Sequence, residues 1–155
     1  MLHVGDAAPA FSAIDHNGKT HSLSGYAGQW VLLYFYPKDD TPGCTTEACA
    51  LRDDFTQFKK IKAVVLGVSK DSAASHQKFA AKFDLPFPLL VDEDLTMIKA
   101  YGVWGKKKFM GKEFAGVWRI SFLINPHGQV AKVYSNVKPA EHAAQVLADL
   151  KALQP

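Results

Sequence analysis

The run Trp30 to Tyr36, Trp-Val-Leu-Leu-Tyr-Phe-Tyr, is almost uniformly apolar and aromatic. A strand that is apolar on both sides has to be covered on both faces, which places this run at the centre of a sheet flanked by helices. It leads directly into Pro37-Lys-Asp-Asp-Thr-Pro-Gly-Cys44-Thr-Thr-Glu-Ala-Cys49, which holds the only two cysteines of the chain. After Thr-Pro-Gly a helix is expected to begin. A helix N-terminus offers unpaired N–H groups and a positive partial charge, and both favour a thiolate over a thiol. Cys44 is therefore a candidate nucleophile and Cys49 a candidate resolving thiol.

The rest of the chain reads as alternating strands and helices. Phe11 to Ile14 and Lys19 to Leu23 flank Asn17-Gly18, a strong turn signal, and form an expected N-terminal hairpin. The helix after the cysteine turn is expected from about Gly43 to Lys60, with Cys44, Ala48, Leu51, Phe55 and Phe58 recurring at three- and four-residue steps. Ala63 to Val68 is a second buried strand, and a helix begins at Asp71-Ser-Ala-Ala with Phe79 and Phe83 on its inner face. Pro86 and Pro88 bracket a turn; Leu89 to Val91 is a short strand and Asp94 to Tyr101 a short helix. Ile120 to Ile124 and Val130 to Tyr134 flank Asn125-Pro-His-Gly128 as a second hairpin, and Pro139 to Leu153 closes the chain as an amphipathic helix. This order describes an α/β fold, a mixed β-sheet with helices on both faces. With 155 residues and no internal repeat or linker, a single domain over 1–155 is expected.

Composition removes several function classes. Hydrophobic residues make up 48% and charged residues 21%, which is ordinary for a globular protein. The formal net charge is +3, and no clustered basic face argues for nucleic acid. Lys106, Lys107 and Lys108 form a short basic run that reads as a solvated loop. No apolar stretch is long enough to cross a bilayer, and the first residues lack the pattern of a signal peptide, so a cytoplasmic location is expected. In that compartment a close cysteine pair is catalytic or metal-binding more often than a staple.

Spacing limits what the two thiols can do. On a regular helix a five-residue step advances about 7.5 Å and turns about 140° beyond a full turn, so the two Cα atoms lie roughly 8–9 Å apart. That exceeds the reach of a disulfide. Bonding between them therefore requires the first turns of the helix to unwind. Cys44 shares the inner stripe, whereas Cys49 points toward the side of Arg52, Asp53 and Thr56.

Several neighbours suit a reactive sulfur, and each has a plainer reading. Thr41 can aim a hydroxyl at whatever the sulfur attacks, or simply cap the helix. Pro42 removes an N–H and fixes the turn, and Gly43 lets the backbone approach closely. Arg119 is a lone cation ahead of the buried run Ile-Ser-Phe-Leu-Ile. It can stabilise negative charge at the sulfur or serve as a surface ion-pair partner. Glu47 reads most simply as a dipole or capping residue. Trp30, Tyr34, Phe35 and Tyr36 read as core packing, and a lone buried cysteine is often just a small hydrophobe.

At these residues the chain resembles the Q-type peroxiredoxins, also called the bacterioferritin comigratory protein subfamily. The family pattern Pro-x-x-x-Thr/Ser-x-x-Cys reads here as Pro37, Thr41 and Cys44. The opening Gly5-Asp-Ala-Ala-Pro9-Ala-Phe11, the block from Tyr101 to Gly111 and the block from Arg119 to Asn125 are similar to further family blocks, with Asn125 where the family usually has Asp. The resemblance implies a thioredoxin-like fold and a thiol-dependent peroxidase acting on hydrogen peroxide and organic hydroperoxides. It implies Cys44 as the peroxidatic thiolate, with Thr41, the Cys44 N–H and Arg119 polarising the peroxide and Pro37 shielding the pocket. It implies Cys49 as the resolver of a Cys44 sulfenic acid, a thioredoxin-type dithiol as reductant, no metal or organic cofactor, and a monomer.

The rival readings are a slow peroxide sensor or chaperone, a general thiol–disulfide oxidoreductase, and a zinc module. Oxidoreductases normally use Cys-x-x-Cys, unlike the wider spacing here. The zinc reading would draw on Cys44, Cys49, His16 and His21, but the histidines flank a tight turn and the cysteines lie on different helix faces.

Overall fold

The structure, a computed structural model, describes residues 2–154. Its centre is the expected apolar run, strand β3 (Trp30–Phe35), which pairs in parallel with β4 (Ala63–Ser69) and antiparallel with β8 (Ile120–Ile124). With β5 (Leu89–Val91) and β9 (Val130–Tyr134) these form a five-stranded mixed sheet in the order β5-β4-β3-β8-β9. Alternation along β3 divides the core in two. Leu32 and Tyr34 point to one face and pack with residues of α1 (Pro42–Asp53), α2 (Phe55–Lys60), α3 (Ala73–Phe83) and α5 (His142–Leu153). Val31, Leu33 and Phe35 point to the other face, toward Phe11, α4 (Thr96–Ala100), Tyr101 and Val103. Every side chain from Val31 to Tyr36 is essentially buried, as a strand covered on both sides requires. The result is the expected thioredoxin-like α/β fold.

The N-terminal hairpin forms as β1 (Ser12–Ile14) and β2 (Thr20–Ser22) and touches the main sheet through a bridge between Asp15 and Leu90. At the β8–β9 turn, Asn125 Oδ1 accepts from the N–H groups of His127 and Gln129, both at 3.0 Å, so Asn performs the acceptor role an Asp would have there.

Three elements depart from expectation. The helix expected over 43–60 is broken at Asp54, whose backbone (φ −97°, ψ 5°) ends α1 before α2 begins. Adjacent acids at a helix C-terminus oppose its dipole, and Asp is a poor helix-interior residue. The last helix begins at His142, three residues after Pro139, because the N–H groups of Glu141 and His142 both turn back to the Lys138 carbonyl. The run of lysines is not a loop. It lies in β6 (Trp104–Phe109), which pairs antiparallel with β7 (Lys112–Val117) in a separate hairpin. Its two turn residues, Met110 and Gly111, both have positive φ (52° and 79°), the geometry of a tight hairpin turn that Asn-Gly usually announces.

The segment joining β3 to α1 is pinned from below. Asp39 accepts from the Tyr36 hydroxyl at 2.6 Å, from Ser75 Oγ at 2.8 Å and from His76 Nδ1 at 2.7 Å. His76 Nε2 lies 2.9 Å from the Leu90 carbonyl, which can only accept, so the ring is held between the carboxylate and that carbonyl. The Asp39 N–H donates to Asp71 Oδ2 at 2.9 Å, and Asp40 pairs with Lys82 at 2.8 Å. His76→Ala leaves a buried carboxylate short of its imidazole hydrogen-bond partner. It is expected to lower unfolding free energy by about 3 kcal/mol, measured as an earlier urea midpoint with an unchanged slope.

Candidate active site

The sheet brings the site together by register. Phe35, the last residue of β3, pairs with Ile120, the first residue of β8. The residue just before β8, Arg119, therefore stands beside the chain as it leaves β3 for α1. Thr41 takes the N-cap position in an extended conformation (φ −101°, ψ 157°), and Pro42 opens the helix where its missing N–H costs nothing. Cys44 follows in the first turn and is 1% exposed.

Arg119 is the hub. Its Nη2 donates to Cys44 Sγ at 3.4 Å and its Nη1 to Glu47 Oε1 at 2.8 Å. The guanidinium reaches the sulfur across Gly43, where an added Cβ would come within 2.9 Å of Arg119 Nη2. Gly43 thus leaves the space the contact occupies. The surface ion-pair reading of Arg119 gives way to an inward one, since the partner carboxylate is fully buried.

Glu47 does not cap the helix. It lies on the inner stripe of α1 with Cys44, Ala48 and Leu51, and its second oxygen, Oε2, has no hydrogen-bond partner. Burial raises its carboxyl from 4.5 to about 7, against the opposing pull of the Arg119 charge and hydrogen bond. Burial lowers the Arg119 value, but Cys44 and Glu47 outweigh it and leave the guanidinium held above its usual range. Tyr34 belongs to the core as expected, yet its hydroxyl also lacks a partner. Burial first, then the negative charges of Glu47 and Cys44, hold it well above the usual phenol range, so it stays neutral.

Thr41 does not cap either. Its Oγ1 donates to the Lys38 carbonyl at 2.8 Å, which commits its proton and leaves oxygen lone pairs to accept. Pro37 lines a cleft of about 520 Å³ together with Arg119 and Lys107. Lys107 is a site residue that the sequence reading placed in solvent; strand alternation, inward for Lys107 and outward for Lys106 and Lys108, was the signal available.

Cys49 is not part of this cluster. It is half-exposed, and α1 is unbroken between the two thiols, which are both free. Its neighbour is Arg52, whose Nη1 donates to the Phe83 carbonyl at 2.7 Å and whose charge is favoured first by its hydrogen bond to Asp53 and to a lesser extent by Cys49. The zinc donors do not converge. His21 bonds Asp15 and Tyr26, and His16 accepts from the Leu89 N–H. Among the described residues the group close enough to share an ion is Asp39, Asp71 and His76, which includes neither cysteine.

Comparison with known proteins gives the family of the chain. The profile of the AhpC/TSA family matches residues 4–133. The chain is 45% identical over 150 residues to peroxiredoxin Bcp of Bacillus subtilis, covering 97% of this chain and 96% of that one. It is 47% identical over 150 residues to peroxiredoxin Bcp of Escherichia coli K12, with the same coverage. Among solved structures, a PrxQ mutant from Xylella fastidiosa superposes with a TM-score of 0.94 at 37% identity, covering 100% of this chain and 99% of that one. The Xanthomonas campestris bacterioferritin comigratory protein, studied for its alkyl peroxide reduction activity, superposes at 0.87 with 42% identity, covering 92% and 91%. The chain belongs to the AhpC/TSA family, in its Bcp/PrxQ group of peroxiredoxins.

Proposed function

We propose that the protein is a thiol-dependent peroxidase that reduces hydrogen peroxide and alkyl hydroperoxides at Cys44 and is returned to the dithiol form by a thioredoxin-type reductant. The observation that carries the reading is the Arg119 guanidinium 3.4 Å from the Cys44 sulfur, at the first turn of α1. Two sources of positive charge, the helix terminus and the guanidinium, stabilise a thiolate there and the charge that develops when a peroxide bond breaks.

In the first step the Cys44 thiolate attacks the terminal oxygen of the hydroperoxide. An S–O bond forms, the O–O bond breaks, and the electron pair leaves on the alkoxide oxygen, which takes up a proton to become the alcohol. Cys44 becomes a sulfenic acid. Thr41, with its proton engaged by Lys38, accepts the hydrogen of the incoming peroxide, while Arg119 and the Cys44 N–H face the developing negative charge. Pro37 shields one side of the cleft from water. In the second step the Cys49 sulfur displaces the sulfenic oxygen as water and forms the S–S bond. The helical spacing of the two residues means that α1 unwinds at its start before this can happen. A dithiol then reduces the disulfide by exchange. No helix is long and apolar enough to cross a membrane among the described residues.

Cys44→Ser is expected to abolish peroxide consumption; near-normal activity would remove Cys44 from the role. Cys49→Ser is expected to consume about one equivalent of peroxide and to stop at a sulfenic acid trappable by a dimedone-type probe. Full turnover of that variant with thioredoxin would show that Cys49 is not the required resolver.

The raised Glu47 carboxyl has a pH signature. Between 4.5 and about 7 the folded protein holds a proton that the unfolded chain has released, so stability falls as pH rises through that window. Urea unfolding of the wild type against Glu47→Gln is expected to show the wild-type stability declining relative to the variant across that range. A difference that stays constant with pH would contradict the raised value.

A further inference from the structure

The structure places a second cation in the cleft that holds Arg119, and no part of the reaction described above uses it. Lys106, Lys107 and Lys108 follow one another on β6. Alternation sends the outer two to solvent, where Lys108 pairs with Glu113 at 3.5 Å. The middle one turns inward and is half-buried. Its stem crosses Gly116, where an added Cβ would lie 2.9 Å from Lys107 Cδ, and its Nζ donates to the Val117 carbonyl at 3.0 Å. One of three ammonium protons is thereby used.

The surroundings of this ammonium are selective. Pro37, Trp118, Ile120 and Val137 give the cleft apolar walls, Ser135 and Asn136 add neutral polar ones, and among the described residues no acidic side chain lines it. The Trp118 indole lies over Gly105, where any Cβ would collide with it. No carboxylate pairs with Lys107 among the described residues. Burial, then the like charge of Arg119, disfavours the charged lysine, and Cys44 favours it. The other groups facing the site do not offset two cations. Glu47 from α1 is engaged by Arg119, Tyr34 from β3 is neutral, and burial drives His142 from α5 down to about 4, so it is neutral as well. Lys107 has no carboxylate of its own beside Arg119, and Cys44 is the one group that favours its charge, so an anion in the cleft would add a counter-charge to the ammonium.

We propose that Lys107 is a specificity-determining residue of this site: its ammonium, in the cleft it shares with Arg119, selects hydroperoxides that carry a negative charge apart from the peroxide group. Arg119 serves the sulfur and the breaking O–O bond, Lys107 holds the remote anion, and the apolar walls cover the chain between them. The inference rests on Cys44 as the peroxide-reducing thiol.

The test compares an alkyl hydroperoxide bearing a terminal carboxylate with its methyl ester. The reading is the second-order rate constant for single-turnover oxidation of the reduced protein. The wild type is expected to prefer the carboxylate, and the preference is expected to shrink as salt rises. Lys107→Gln is expected to cut the carboxylate-to-ester ratio by about three- to tenfold, Lys107→Arg to retain it, and Lys106→Gln to leave both rates unchanged. An equal ratio in wild type and Lys107→Gln, an equal loss in Lys106→Gln, or a preference indifferent to salt would overturn the proposal. Failure of the wild type to react with either peroxide would instead overturn the peroxidase reading.

Discussion

A single guanidinium connects the parts of this site that lie far apart in sequence. Arg119 touches the Cys44 sulfur with one nitrogen and the buried Glu47 carboxylate with another. Both contacts depend on the pairing of β3 with β8, which sets the residue before β8 beside the start of α1. They depend also on Gly43, which leaves room for the guanidinium. The core on that face of the sheet contains Cys44 itself, packed with Ala48, Leu51 and Tyr34. Sheet register, helix packing and the chemistry at sulfur are in this sense one constraint.

The same rigidity sets the problem that the proposed cycle has to solve. The loop before α1 is anchored at Asp39 to Tyr36, Ser75 and His76, and at Asp40 to Lys82. These bonds hold the loop that carries Pro37 and Thr41 and leads to Cys44, the residues proposed to take part in the first step. Yet a Cys44–Cys49 bond cannot close on an intact helix, so the arrangement that would favour attack on a peroxide opposes the disulfide step proposed to follow it. In the proposed cycle, oxidation of Cys44 would weaken that arrangement from within: a sulfenic acid is larger than a thiolate and carries no negative charge for Arg119 to hold. The half-exposed position of Cys49 would leave it accessible if the first turns loosen as proposed.

Much of this was legible in the sequence where the signal is local. The run Trp30 to Tyr36 announced a central strand, Thr-Pro-Gly-Cys44 a helix start, and Asn17-Gly18 a hairpin, and all three stand in the structure. Of the two readings of Glu47, support of the pocket and a plain capping role, the capping one fails although an acid near a helix N-terminus ordinarily faces water; only its position on the Cys44, Ala48 and Leu51 stripe separates the two cases. The β6–β7 hairpin escaped because three lysines hide the strand pattern and Met110 stands where Asn would mark the turn. The Asp39–His76 pair joins residues 37 positions apart, and nothing in either residue's neighbourhood points to the other. Pairings of that kind are set by tertiary packing, which spacing along one element does not encode.

The most direct measurement is intact-mass analysis with thiol counting on the reduced protein, seconds after one equivalent of hydrogen peroxide. The account predicts loss of both thiols with a mass decrease of two hydrogens, far faster than free cysteine reacts. Two unreacted thiols, or an added oxygen that persists on the wild type while Cys49 stays free, would contradict it.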